Sequence, residues 1–162
     1  ASSFTFDDAI KFSYTNNSML MQSEDMKIFS KKDFKIVSRK KPSVSQFNNL
    51  IFAFNVCRYV KSNAIVLASN DTTVGIGSGQ PSRLDSCQIA IDKMNKFKKS
   101  KSEIVAASDA FFPFVDGIEK LVSSGVSAVV QPSGSIRDKD IINFANETET
   151  VLVFSKTRHF KH

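Results

Sequence analysis

The chain has 162 residues, enough for one domain with its own core and too few for two large ones. Its 22 lysines and arginines against 16 acidic residues give a formal charge of +6 and an isoelectric point near 9.4, which suits an anionic partner: a nucleotide, a polyanionic cofactor or a nucleic acid. No run of about 18 uncharged apolar residues occurs, and Ala1-Ser2-Ser3 ahead of Asp7 and Asp8 does not read as a signal peptide, so a soluble cytoplasmic protein without membrane contact is expected.

The first forty residues carry the weakest periodicity. Thr5 to Asp8 resembles a capping box ahead of a short helix through Phe12, and Met19 to Met21 forms an apolar patch. Residues 1–32 are therefore expected to be an irregular arm or an edge hairpin, with the main domain over 33–162. From Ser43 the signals sharpen: Phe47, Leu50, Ile51 and Phe54 recur at helical spacing behind a serine cap, predicting a helix to about Tyr59. Ala64 to Ala68 and Thr73 to Ile76 read as strands of a hairpin turning at Asn70-Asp71. Pro81 and Ser82 suit a helix start, and Leu84, Cys87, Ile91 and Met94 give that helix an apolar face. Ile104 to Ala107 reads as a strand, Pro113 opens a helix with Ile118, Leu121 and Val122 inward, and Gly125 stops it. Ala128 to Val130 is a strand, Asp138 starts a helix with Ile141, Ile142 and Ala145 inward, and Val151 to Phe154 is the last strand. Alternating strands and helices from residue 64 onward argue an α/β layered fold with partly parallel strands.

Cys57 and Cys87 fall on apolar helix faces and read as buried thiols; a disulfide framework or metal cluster would need more cysteines or closer spacing. The basic runs Arg39-Lys40-Lys41 and Lys93, Lys96, Lys98, Lys99, Lys101 read as solvated flanks, since a nucleic-acid surface would want interleaved aromatic residues or a reading helix.

Three stretches could carry chemistry. "VGIGSGQPSR" (74–83) is neither a dinucleotide fingerprint nor a Walker loop, yet glycines ahead of a helix can admit an anion, and Arg83 adds a permanently charged planar donor. On spacing alone, a structural turn and a ligand loop both stay open. "SDAFFPF" (108–114) puts three rings into four positions, which cannot all enter one core from the same side, so some are expected to wall a pocket. Asp116 follows as a candidate carboxylate that also suits the helix dipole. The third stretch is the end of the chain, Thr157 to His162, which holds both histidines and reads as a frayed basic tail. No H-x-E with P-C-x-x-C is present for zinc deaminase chemistry, and no nucleophile elbow occurs.

Together, "RYVKSNAIVLASNDTTVGIGSGQPSRLDSCQIA" (58–90), "ASDAFFPFVDGIEKLVSSGVSAVVQPSGSIRDKDII" (107–142) and "RHF" (158–160) resemble the C-terminal part of the aminoimidazole carboxamide ribonucleotide (AICAR) formyltransferase half of the bifunctional purine biosynthesis enzyme, from about Asp33 onward. The resemblance implies a three-layer α/β/α cytidine-deaminase-like lobe with a mixed sheet and no zinc, and a role in formyl transfer from 10-formyltetrahydrofolate to AICAR. It looks like the second lobe alone, without the cyclohydrolase domain or the first lobe with its Lys-His motif. It further implies that Asn63, Arg83, Phe111 and Arg158 contact the nucleotide, with Arg158 on the 5′-phosphate and the glycine segment a turn delivering Arg83. Folate would meet Pro113, Phe114, Asp116, Ser133, Gly134 and Ser135, and a potassium ion would lie near Ser62 and Asp109. A homodimer or a partnering first lobe is implied, and a non-catalytic nucleotide-binding module is the competing reading.

Overall fold

The computed structural model of the chain describes residues 10–97 and 103–162. Its strands are β1 (Ile10–Thr15), β2 (Ser18–Ser23), β3 (Phe34–Ile36), β4 (Ile65–Ser69), β5 (Thr72–Gly77), β6 (Ile104–Ser108), β7 (Val126–Pro132) and β8 (Val151–Ser155). The helices are α1 (Val44–Cys57), α2 (Arg83–Phe97), α3 (Val115–Ser123) and α4 (Asp138–Glu147). Every residue of β4, β6 and β8 is buried, as their near-continuous apolar sequences require of strands covered on both faces.

Those strands belong to a six-stranded sheet in the order β3-β8-β7-β6-β4-β5. Strands β6, β7 and β8 run parallel, while β4 opposes β6, β5 opposes β4 and β3 opposes β8. Alternate side chains separate two cores. Ile65, Leu67, Ile104, Ala106, Leu152 and Phe154 pack with Cys87, Ile91 and Met94 of α2, Ile118 and Leu121 of α3, and Ile141 of α4. Val66, Ala68, Val105, Ala107, Val151 and Val153 pack with Phe47, Leu50, Ala53, Phe54 and Cys57 of α1. The result is a three-layer α/β arrangement around a mixed sheet.

Local signals explain most element ends. Ser43 and Gln46 close a capping box on α1, Gln46 N donating to Ser43 Oγ (3.0 Å) and Ser43 N to Gln46 Oε1 (3.1 Å). Asn70 and Asp71 both lie at φ 52°, the paired left-handed residues of a tight hairpin turn, and Asp71 N donates to buried Asn49 on α1. Both cysteines are buried and free, as read from their helix faces. Burial pushes the Cys87 thiol up to about 12 and that of Cys57 well above its usual range.

The N-terminal region departs from the short helix expected through Phe12 and forms a hairpin, though in a sheet of its own. Thr5 to Asp8 and Lys98, Lys99 and Lys101 lie outside the described residues, but where a helix was predicted through Phe12 the chain forms β1, paired with β2 in a separate two-stranded sheet. Ile10, Phe12 and Tyr14 alternate with polar residues, a period of two, and Asn16-Asn17 turns the chain; that pattern favours a hairpin over a helix. Cross-strand pairs Phe12↔Met21 and Tyr14↔Met19 put one apolar face on this hairpin, and all four side chains are exposed.

The glycine segment belongs partly to the sheet. Gly75 and Gly77 lie within β5, where a Cβ would stand 2.1 Å from Ala90 O and 1.9 Å from Ser86 O. Their lack of side chains lets α2 lie directly on β5, so these two positions serve helix–strand contact and not anion binding.

Candidate functional site

The register sets Ile65 opposite both Gly77 and Ser108, so the start of β4 meets the C-terminal ends of β5 and β6 at one edge of the sheet. There a cavity of about 490 Å³ opens, lined by Asn63, Ser82, Arg83, Phe111, Phe114, Asp116, Arg158 and Phe160 among others. This is where α/β folds place their ligands, beyond the carboxyl ends of strands.

Its floor is a buried polar network. Arg83, in the first turn of α2, donates through Nη1 to Ser108 Oγ (2.8 Å) and pairs with Asp109 Oδ1, and through Nη2 to Asn63 Oδ1 (2.6 Å). Asp109 is fully buried and the Arg83 side chain is 11% exposed. Asn63 Nδ2 in turn donates to Gln80 O (2.9 Å) and Pro81 O (3.1 Å), which fixes the turn ahead of α2. Gly79, at φ 69°, makes that turn. The segment 74–83 is thus a strand end and a turn that set Arg83 on the floor.

The walls are aromatic. Phe112 is buried in the core and its N–H donates to Gln131 Oε1 (3.2 Å), while Phe111 and Phe114 face the cavity, the division expected for three rings in four positions. The Arg158 guanidinium lies over the Phe111 ring at 4.6 Å, and among the described residues it has no carboxylate partner. Asp116, at the start of α3, accepts from Gly117 N (2.7 Å). Flat faces, a cation without a counter-ion among the described residues and a carboxylate in the same lining suit a planar heterocycle bearing an anionic group.

Asn63, Arg83, Phe111, Arg158, Pro113, Phe114 and Asp116 all line this one cavity. The loop Ser133, Gly134 and Ser135 does not: the N–H groups of Gly134 and Ser135 donate to the Asp138 carboxylate, and Ser133 lines a neighbouring cavity of about 590 Å³ with Lys32, Lys35 and Lys156 at its edge. Gly134 still adjoins the site, since a Cβ there would stand 3.6 Å from Arg158 Nη2. Ser62 and Asp109 do not fit a potassium ion. The Ser62 hydroxyl accepts from Lys161 N (3.2 Å), and Asp109 is neutralised by Arg83; its second oxygen is buried without a partner, but one oxygen beside a guanidinium is not a cation cage. No group of three or more His, Cys, Asp or Glu that could hold a metal ion occurs among the described residues. Nor does any described helix have the length and apolarity to cross a membrane.

Sequence reading missed Phe160, which lines the cavity, and His159, which proves 1% exposed where a frayed tail was expected. A basic tail gives no local signal of burial, because its partners, Asp25, Phe29 and Phe54, lie more than one hundred residues away in sequence.

Fold and cavity together define a three-layer α/β lobe with a cavity at the carboxyl ends of its strands. The chain belongs to the AICARFT/IMPCHase bienzyme family, whose model matches residues 3–93. That match begins well before Asp33, so the resemblance extends into the N-terminal arm. Proteins named bifunctional purine biosynthesis protein PurH are similar to it: one of Chlorobium phaeobacteroides, 42% identical over 155 residues, and one of Chlorobium chlorochromatii, 43% identical over 152. A third, of Polynucleobacter asymbioticus, is 44% identical over 158 residues. These alignments cover 96%, 94% and 98% of this chain but only 30%, 29% and 29% of the relatives. The chain spans less than a third of the length of the curated relatives it matches.

Proposed function

We propose that this chain is the C-terminal lobe of an AICAR transformylase and binds a purine-pathway ribonucleotide in the cavity between Arg83 and Arg158. The observation that carries this reading is the Arg158 guanidinium, stacked on Phe111 without a carboxylate partner among the described residues and facing a cavity whose other arginine is already neutralised. Arg158 takes the 5′-phosphate and Phe111 the aminoimidazole. Arg83 contributes its remaining donors from the floor, and Asn63, whose two amide hydrogens go to Gln80 O and Pro81 O, serves the nucleotide by holding Arg83 through Oδ1. Phe114 and Asp116 receive the pterin of 10-formyltetrahydrofolate. Cytidine-deaminase-like ancestry accords with the three layers and the mixed sheet.

Formyl transfer needs the amine of AICAR to be oriented and deprotonated and the tetrahedral oxyanion to be stabilised. This cavity supplies orientation. Neither histidine lines it, and buried His159 faces the opposite core. The base therefore comes from a first lobe, which carries the Lys-His motif of the family. A binding module without turnover is the second reading, favoured by that same lack of a lining base. The two separate in a transfer assay with AICAR and 10-formyltetrahydrofolate. Turnover that appears when a separately produced first lobe is added supports the transformylase lobe; nucleotide binding with no turnover under either condition supports the module.

The apolar hairpin face of Phe12, Tyr14, Met19 and Met21 supports a further part of the reading, that the lobe works against a second copy or a partnering first lobe.

A further inference from the structure

We infer that Asp25 and His159 form a positioning pair that seats Arg158 in the cavity before any ligand arrives. The proposal rests on the reading of Arg158 as the phosphate grip. His159 lies between Arg158 and Phe160, both of which line the cavity, while its own ring points the other way, against Phe54 (4.4 Å between centroids) and Phe29 (5.0 Å). Its Nδ1 bonds the Asp25 carboxylate, and because a carboxylate only accepts, Nδ1 carries the proton. Position, rotation and tautomer of the ring are thereby fixed.

The backbone at His159 and just after it is tied as well. His159 N donates to Asp109 O (2.9 Å), Ser62 N to Lys161 O (3.0 Å) and Lys161 N to Ser62 Oγ (3.2 Å), and Gln22 Nε2 donates to Phe160 O. Gln22 and Asp25 come from the N-terminal arm, so that arm and the core jointly hold the residues that present Arg158. With His159 inserted, Arg158 leaves the backbone in one direction, towards Phe111, and the rotamer entropy of ordering it is spent in folding and not on binding.

Asp25→Ala and Asp25→Asn in the 162-residue chain test this, the second keeping an oxygen acceptor. AICAR affinity is measured by calorimetry, and the shift of the Arg158 δ-protons over the Phe111 ring is measured by NMR without ligand. Asp25→Ala should weaken AICAR binding about tenfold at unchanged stoichiometry and move those protons towards their random-coil shift, with Asp25→Asn between it and the parent. A lower melting temperature with unchanged affinity and unchanged Arg158 shift in both variants would overturn the proposal and leave the pair purely structural. If the parent chain fails to bind AICAR, the nucleotide reading falls, and the Arg158 shift alone decides whether Asp25 positions that side chain.

Discussion

The guanidinium of Arg83 neutralises a carboxylate with no solvent exposure, so removing it strands a charge in the core. Breaking such a pair costs about 3 to 5 kcal/mol. Arg83→Ala should therefore lose stability on that order in urea unfolding, whereas Arg158→Ala, at an exposed position, should lose less than about 1 kcal/mol. Equal losses would contradict the division of labour between the two arginines. It also follows that lost activity in Arg83→Ala says little about ligand contact, which makes Arg158 the better probe. Cys87 gives a pH-dependent counterpart. Its thiol is pushed up from near 9 to about 12 by burial, so the folded chain keeps a proton that the unfolded chain releases. Its contribution to stability is fully present below pH 9 and declines as pH rises towards 12. Native protein should leave Ellman's reagent unreacted at pH 8 and titrate both thiols in guanidinium; fast stoichiometric reaction of the native chain would show an open α2.

The contact of α2 with β5 depends on two bare backbone positions. A methyl group at Gly77 would stand 1.9 Å from the Ser86 carbonyl oxygen, so Gly77→Ala must push helix and strand apart, at a cost of about 2 kcal/mol or more. Urea denaturation measures this, and an unchanged midpoint would mean that α2 has room to shift. In the sequence Gly75 falls within the strand read over Thr73 to Ile76 while Gly77 looks like part of a loop, because spacing records neighbours along the chain and not the helix lying across it. Elements with strong periods were legible: α1 from Phe47, Leu50 and Phe54 behind Ser43, and β6 and β8 from their continuous apolar runs. β3, three residues long, is too short to show a period and was invisible. At β1 the capping-box pattern of Thr5 to Asp8 points to a helix and masks the period of two in Ile10, Phe12 and Tyr14. The aromatic wall was legible in 111–114 from the impossibility of burying three rings together. Arg158 came only through resemblance, and the burial of His159 depends on partners that no local pattern reveals.

Taken whole, the molecule is an open mixed sheet between two helical layers, with a cavity at the carboxyl ends of its strands and a separate hairpin whose apolar face is exposed. Two-stranded hairpins are marginal alone in water, and this one exposes Tyr14 at 80% along with Phe12, Met19 and Met21. Self-association through that face should appear in size exclusion with light scattering and should weaken in a Phe12→Ser, Met21→Ser double variant. A monomer at high concentration would rule self-association out. Ligand binding in the cavity is tested by a calorimetric titration of AICAR and of its unphosphorylated riboside into the parent chain and Arg158→Ala. The account predicts one site for AICAR, weakened about tenfold or more by Arg158→Ala, with riboside binding weak and unaffected by the substitution. Equal effects on both ligands, or no binding of AICAR to the parent chain, would contradict it.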